Sequence, residues 1–275
     1  MNGPRTIIWL SAAAALALTG CSNLSNVIGG LGGGKGNARL VVASLTTPQT
    51  NISLTADGGT INSGLSATTP IGTYAQVGAG QETFAINTGA GTGNLVPPIN
   101  VSVAASTNYS IVLEGEPGSA DYMAFGFQDT NALNNAATVR FKVNNAAPNL
   151  ASAVDVYVWL STNAIPSTPT VANLGLNQDS GSVAGAPGNA YIPQQGSSTI
   201  LPAGVYDVAI VPAGTVPNGS TDLFDGSTSF ALNTSYSLTL ADINATQNNI
   251  DVLVSIDEPF QTQNQSIHRQ RILRR

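Results

Sequence analysis

From Arg39 onward the chain consists of short runs rich in β-branched and aromatic residues, separated by clusters of Gly, Pro, Asn, Ser and Thr. Almost no stretch shows the 3.6-residue periodicity of an amphipathic helix. Short apolar runs between turn-forming clusters are typical of β-strands. Each half of the body contains about seven such runs, the count expected of an immunoglobulin-like sandwich. We therefore predict an all-β chain with two tandem immunoglobulin-like antiparallel β-sandwich domains.

The two halves of the body repeat similar phrases in the same order, which is typical of a tandem repeat. Ala38–Val42 is similar to Val139–Val143, and Thr107–Leu113 is similar to Thr234–Leu240. The offset between the halves grows along the chain by roughly 20 residues, so the second half carries an insertion. The predicted units are a first sandwich at 37–135, a second sandwich at 136–260, and an insertion near 164–193 that is rich in Pro, Gly, Ser and Asn.

Residues 1–20 have the three parts of an export signal. Arg5 supplies the positive charge, Ile7–Leu18 forms the apolar run, and small residues precede Cys21. A helix that spans a bilayer needs about 20 apolar residues, and this run is shorter. The segment is therefore predicted to be a signal peptide and not a permanent membrane span.

The signal ends in Leu18-Thr19-Gly20-Cys21, which resembles the lipobox of bacterial lipoproteins. The resemblance implies cleavage before Cys21 and attachment of lipid to its sulfur, so a membrane is the expected partner through that lipid. The alternative is a core thiol that follows an ordinary signal peptide. Ser22 comes next, where an aspartate would favour inner-membrane retention in Gram-negative bacteria, so the resemblance implies the outer membrane in such a source. Residues 21–36 are rich in glycine and are predicted to form a flexible tether.

A second resemblance is carried by the start of the second half. The phrase Val139–Asn149, followed by Ala153–Val158, resembles the opening of the DUF4397 family of exported bacterial β-domains. The first half is more divergent, since Asn51–Leu54 stands where the family has a Val-Asp-Val-Tyr pattern. The resemblance covers most of residues 37–260. It implies an exported, often surface-facing, repeated β-domain, and it supplies no functional residues because the family has no established activity.

Charge and composition exclude several function classes. The chain has nine Lys and Arg residues and fifteen Asp and Glu residues. Arg5 would be removed with the signal peptide, so the mature chain is acidic. Nucleic acid is a poor partner for such a body. Cys21 is the only cysteine and His268 the only histidine, so the body lacks the groups of a Ser-His-Asp or Cys-His site and of a histidine metal site. We predict a protein that is not an enzyme and has no cofactor and no metal site.

Paired carboxylates are the least excluded catalytic arrangement. Glu114 with Glu116 and Asp257 with Glu258 lie close in sequence, but each pair stands at a strand end beside a proline. We predict that these four side chains are solvated loop carboxylates. A hydrolase therefore ranks as the third functional hypothesis.

Two further acidic patterns are interpreted as structural. Asp222 and Asp225 share one turn, but the alternating ligand pattern of a calcium-binding EF-hand loop is absent. Asp155 and Asp207 alternate with apolar residues in predicted strands, so they are expected on the solvated face of a sheet.

Aromatic residues supply the one candidate binding surface. Tyr157 and Trp159 share a face of a predicted strand, and Tyr191 lies at the edge of the insertion, so the three are the candidate ligand-binding residues. Tyr109 and Tyr236 occupy equivalent places before two similar strands. They resemble corner tyrosines, which bond back to the backbone.

The last segment, 261–275, is basic and is predicted to be disordered, with contact to anionic lipid or to an acidic neighbour as the alternative. Taken together, the sequence predicts a non-enzymatic cell-envelope lipoprotein that acts as a structural or binding component. The alternative is a glycan-binding or adhesive module that uses loops of the second domain. The expected partner besides the membrane is a glycan or an envelope protein.

Overall fold

The structure is a computed structural model. It describes residues 34–45, 50–89, 93–129, 138–181, 191–192, 201–244, 246–257, 269–271 and 273–274. The predicted signal peptide, the lipidated Cys21 and the single His268 lie outside these ranges. Within them, no helix is long and apolar enough to cross a membrane.

The first sandwich consists of two four-stranded sheets. Its core lies between them and includes Leu40, Leu54, Phe84 and Ile111, each at most 1% exposed. The inner sheet has the order β4 (Ala75–Gly78), β1 (Lys35–Val42), β7 (Asn108–Glu114) and β8 (Met123–Asp129). The outer sheet has the order β3 (Gly59–Leu65), β2 (Ile52–Ala56), β5 (Gly80–Thr88) and β6 (Ile99–Val103).

The second sandwich has the same plan, with a core that includes Phe141, Val156, Ile210 and Leu238. The inner sheet has the order β16 (Arg269–Arg271), β15 (Ile250–Asp257), β14 (Ser235–Asp242) and β9 (Arg140–Ala146). The outer sheet has the order β11 (Val171–Leu174), β10 (Val154–Leu160), β12 (Gly204–Pro212), β13 (Phe224–Phe230) and β17 (Leu273–Arg274).

The predicted β-sandwich architecture is confirmed, with one departure in strand direction. Most neighbouring strands are antiparallel, but β1 pairs with β7 in parallel and β14 pairs with β9 in parallel. Besides β16 and β17, two strands were not predicted, β3 and β11. The sequence of β3 contains glycine at two of seven positions, and β11 lies inside the predicted insertion. Neither strand has the apolar alternation on which prediction of a strand depends.

Both ends of the body depart from the prediction. β1 begins at Lys35, inside the predicted tether. Within the basic segment predicted to be disordered, Arg269–Arg271 form β16 beside β15 and Leu273–Arg274 form β17 beside β13. A sheet edge offers unpaired N–H and C=O groups to any extended backbone, whatever its side chains. Side-chain composition alone therefore could not predict these two short strands.

The predicted corner tyrosines are confirmed by their hydrogen bonds. The Ala104 backbone N–H donates to the hydroxyl of Tyr109 at 3.1 Å, and that hydroxyl donates to the Ser102 carbonyl at 3.3 Å. In the second sandwich the Ala231 backbone N–H donates to the hydroxyl of Tyr236 at 2.9 Å. Each tyrosine therefore fastens the end of an outer-sheet strand to the inner sheet of the same sandwich.

The strand registers revise the correspondence between the halves. Arg39 lies opposite Ser110 in the first sandwich, and Lys142 lies opposite Ser237 in the second. The sequence comparison paired Arg39 with Arg140, which is two residues out of register. A shift of two residues keeps every side chain on the same face of a strand. The alternation of apolar residues therefore cannot reveal a two-residue error in the alignment of the halves.

The two inner sheets stack on each other, so the body has four layers. All residues of β7, β9 and β14 are buried on both faces. A third apolar cluster fills the space between the inner sheets and combines Val41 and Val112 of the first half with Ala146, Ala241 and Leu253 of the second. The two sandwiches therefore share an interface of their own, separate from the two cores.

Candidate functional site

Four buried charged side chains form ion pairs between the two inner sheets. Arg39 of the first sandwich pairs with Asp257 of the second at 2.5 Å, and Lys142 of the second pairs with Asp129 of the first at 2.5 Å. Arg39 also lies 3.8 Å from Asp129. Two cations thus face two carboxylates, and each half supplies one of each sign. We call these four residues the charge network.

Hydroxyl groups complete the charge network from equivalent positions. In the first half Tyr74 and Ser110 both donate to Asp129 at 2.7 Å. In the second half Tyr191 and Ser237 both donate to Asp257 at 2.6 Å. Each carboxylate therefore accepts hydrogen bonds from its own sandwich and an ion pair from the other sandwich. A buried charge requires such hydrogen bonds and ion pairs to offset the loss of water.

The two carboxylates of the charge network differ in acidity. Burial raises the pKa of Asp129, but the ammonium of Lys142 and the guanidinium of Arg39 outweigh it and hold the pKa below its usual value. Burial and the charge of Asp129 raise the pKa of Asp257, with Arg39 and Lys142 opposing them. The prediction that Asp257 is a solvated loop carboxylate is wrong. The network joins the sandwiches, and its four side chains are buried among the described residues.

A cleft lies on the outer face of the second sandwich. Its volume is about 320 Å³. In the strand register Trp159 of β10 lies directly opposite Asp207 of β12, and Asp225 of β13 lies on the same face. The loop after β12 adds Asp222, so three carboxylates line the cleft. The remaining lining consists of Asn163, Ala164, Ile165, Ala209, Pro217, Asn218 and Gly219.

The structure brings together only part of the predicted aromatic surface. Trp159 is partly exposed and lines the cleft. Tyr157 is 1% exposed beneath the loop after β12, where its hydroxyl donates to the Thr215 carbonyl at 3.0 Å. Tyr191 is 2% exposed and donates to Asp257 of the charge network, away from the outer face. Of the three candidate residues, Trp159 alone remains a surface contact.

Two carboxylates predicted on a solvated face are covered by loops. Asp155 accepts from the backbone N–H groups of Asn173 at 2.7 Å and Gly214 at 2.8 Å. Asp207 accepts from the Ser161 hydroxyl at 2.7 Å. Both side chains point to the outer face of the sheet, as the alternation requires, but β11 and the loop after β12 bind the first, and the loop after β10 binds the second. The prediction that they are exposed is therefore wrong.

The turn that contains Asp222 is held by its own carboxylate, in line with the structural interpretation. Asp222 accepts from the backbone N–H groups of Asn218 and Gly219, both at 3.1 Å. These bonds fix the rim of the cleft opposite Trp159. Within the described residues, no group of three or more His, Cys, Asp or Glu side chains is arranged to hold a metal ion.

A second cleft of about 320 Å³ lies beside β3 of the first sandwich. Its buried polar side chain, Asn62, is already committed to the fold. Asn62 accepts from the Leu40 backbone N–H at 2.6 Å and donates to the carbonyls of Ile61 and Thr73, both at 2.8 Å. No aromatic ring lines this cleft, so the cleft beside Trp159 is the better candidate.

Comparison with known proteins gives sparse results. No curated protein matches this chain. Among solved structures, the chain is similar to family 41 carbohydrate-binding modules from streptococcal virulence factors, described for alpha-glucan recognition. The sequence identity is 14%, the match covers 78% of this chain and 97% of that chain, and the TM-score is 0.23. It is also similar to a leucine-rich repeat protein from Bacteroides thetaiotaomicron, with 16% identity, 78% and 26% coverage, and a TM-score of 0.17. With TM-scores this low, neither likeness supports an argument.

The comparison with protein families gives a sequence match. The matched residues begin in β1 and end in β10, so they cover the first sandwich, β9 and the start of β10. They include the phrase at Val139–Asn149 on which the family resemblance depends. Residues 36–157 match the family described as Domain of unknown function (DUF4397).

Proposed function

We propose that this chain is a non-enzymatic lipoprotein of the bacterial cell envelope, in which two joined sandwiches act as one binding unit. The observation that carries the binding role is the cleft where a partly exposed Trp159 faces three carboxylates. Ligand sites are concave, with apolar or aromatic walls and a few placed polar groups. The cleft has this composition and lies on a sheet face, a rigid support for a site.

The location rests on the N-terminal sequence. Residues 1–20 have the parts of an export signal, and Leu18–Cys21 resembles a lipobox. Ser22 favours the outer membrane in a Gram-negative source. Two or more acyl chains on Cys21 would anchor the protein stably, and the glycine-rich segment before β1 would hold the sandwiches away from the bilayer.

We propose that the second sandwich is a divergent copy of the first. The support is the shared strand order and the equivalent hydroxyl-to-aspartate bonds at Ser110 and Ser237. The insertion in the second copy carries β11, and the loops flanking β11 and β12 line the cleft. The insertion would then have added a ligand site to a structural domain.

A glycan is the ligand class that fits the cleft best. The face of an indole ring is apolar and packs against the C–H face of a sugar, while its quadrupole disfavours anions. Carboxylates accept hydrogen bonds from sugar hydroxyls. Asp222 and Asp225 lie partly exposed around Trp159, beside the buried Asp207, and the negative charge of the three carboxylates favours neutral or cationic sugars over acidic ones.

The expected result on a glycan array is saturable binding of the mature chain to neutral or amino-sugar glycans, with a loss of at least tenfold in affinity for Trp159→Ala. The reason is that Trp159 is the one aromatic side chain lining the cleft. Tyr122→Ala, an aromatic change in the first sandwich, is the matched control and should bind like the wild type. Equal binding by Trp159→Ala and wild type would exclude the cleft as the site.

A further inference from the structure

One end of the interface between the inner sheets contains buried polar atoms without partners. Glu114 and Asp242 are both 0% exposed, and Ser44 is 3% exposed. Both carboxylate oxygens of Glu114, one of Asp242 and the hydroxyl oxygen of Ser44 have no hydrogen-bond partner in the structure. Buried polar groups without partners cost folding free energy and call for an explanation. We call these three residues the seam cluster.

Backbone contacts bring the members of the seam cluster together from both sandwiches. The Ser44 N–H donates to the carbonyl of Leu113, the neighbour of Glu114, at 3.0 Å. Ser44 also forms a parallel bridge with Asp242, and the Leu45 N–H donates to the Asp242 carbonyl at 3.1 Å. The first sandwich thus supplies Glu114 and Ser44, and the second supplies Asp242.

The two carboxylates of the seam cluster are buried without an ion-pair partner among the described residues. Burial raises the pKa of Glu114 to about 8, Asp242 and Asp121 add to the rise, and the amide of Asn177 opposes it. Burial raises the pKa of Asp242 to about 7, the Asn149 N–H opposes it, and Asp121 and Glu116 add to it. Within the part of the chain that the structure describes, no basic side chain forms an ion pair with either carboxylate. The prediction that Glu114 is solvated is wrong.

We propose that the seam cluster binds a calcium ion, with Glu114, Asp242 and Ser44 as ligands. Calcium takes oxygen ligands from carboxylates, carbonyls and water, in irregular arrangements of six to eight. Two carboxylates balance its charge, and neighbouring carbonyls and water complete the shell. Magnesium demands a near-ideal octahedron and is less suited to this mixture. The seam cluster has two carboxylates. It is therefore not one of the groups of three or more acidic, His or Cys side chains that are absent from the described residues.

The proposed ion would connect the sandwiches at the end opposite the charge network. At that other end, Arg39 and Lys142 already neutralise the two buried carboxylates. At the seam cluster the described residues provide acceptors, and none of the described cations pairs with them. Calcium would therefore stabilise the pair of sandwiches outside the cytoplasm, independently of any ligand at the Trp159 cleft.

The test is calorimetric titration of the metal-free mature chain with calcium chloride at pH 8, together with thermal unfolding. The expected result is one calcium per chain, with a dissociation constant of about 10⁻⁴–10⁻³ M, as in extracellular modules. Five millimolar calcium should raise Tm by roughly 5 °C over EGTA, and magnesium at the same concentration by less. Absence of both calcium binding and a Tm shift in the wild type would overturn the proposal.

Two further measurements distinguish a calcium site from a pair of buried carboxylates that are simply protonated. One uses variants, and the other uses pH. Glu114→Gln and Asp242→Asn should each lose calcium binding, while Glu82→Gln, a buried acid outside the seam cluster, should keep it. Because the folded-state pKa values of Glu114 and Asp242 are raised, stability in EGTA should fall as the pH rises from 5 to 8, and calcium should restore it at pH 8. A fall with pH that calcium does not reverse would contradict the proposal.

Discussion

Replacing Arg39 with methionine is expected to lower the free energy of unfolding by about 3–5 kcal/mol, since removing one partner leaves a buried charge uncompensated. Arg39 is 0% exposed and contacts Asp257 at 2.5 Å, Ser110 at 2.8 Å, Ser255 at 2.9 Å and the Ile256 carbonyl at 3.0 Å. In Arg39→Met the ammonium of Lys142 would face two buried carboxylates alone. The four acceptors of the Arg39 guanidinium would also each lose one hydrogen bond.

Urea unfolding followed by circular dichroism checks this prediction. We expect one cooperative transition for the wild type, because the inner sheets share a buried interface. For Arg39→Met we expect a lower midpoint and separate transitions for the two sandwiches. Lys35→Met, at the exposed start of β1, is the control and should change stability by less than about 0.5 kcal/mol. A cost below 1 kcal/mol for Arg39→Met would show that the charge network does not hold the sandwiches together.

Replacing Cys21 with serine is expected to change the location of the protein completely. Without a thiol at this position no diacylglyceryl group can be attached, and the remaining chain has no apolar segment comparable to Ile7–Leu18. Metabolic labelling with a radioactive fatty acid, followed by fractionation, should show the wild type labelled in the membrane fraction. Cys21→Ser should be unlabelled and absent from the mature membrane-bound pool.

A second substitution serves as control for this experiment. Ser22→Asp should remain acylated but, in a Gram-negative host, move from the outer to the inner membrane. Ser22→Ala should behave like the wild type. An acylated, membrane-bound mature form of Cys21→Ser would contradict the lipoprotein proposal.

Side-chain alternation was enough to predict the architecture. The apolar positions of β1, β7, β9 and β14 are two residues apart, so the strands could be placed before the structure was known. The corner tyrosines were predictable as well, since Tyr109 and Tyr236 precede similar strands. Features that depend on a local pattern were therefore accessible from the sequence.

The interface between the inner sheets was not accessible in this way. Lys142, Asp257 and Glu114 have the polarity of solvated residues, and their burial depends on a second sandwich that covers the same face. A signal was nevertheless present: Ser110 recurs as Ser237 and Asp129 as Asp257 in corresponding phrases. Polar identities repeated between two strands that are otherwise apolar indicate a shared structural role on one face.

The cleft beside Trp159 was predicted in part. Trp159 was identified because it stands in an apolar strand, and alternation placed it correctly on the outer face. Tyr191 was misplaced because it lies within the insertion, where no strand pattern indicates its direction. Asp222 and Asp225 reach the cleft through the loop between β12 and β13 and the start of β13, so their contribution depends on loop geometry.

Tryptophan fluorescence tests the binding role of the cleft most directly. The chain has two tryptophans, and Trp9 is removed with the proposed signal peptide, so the mature protein should emit from Trp159 alone. Titration with a glycan that the array identifies should shift the emission to shorter wavelength in a saturable way and protect Trp159 from acrylamide quenching. Saturable glycan binding without change in emission or quenching would contradict a ligand site at Trp159.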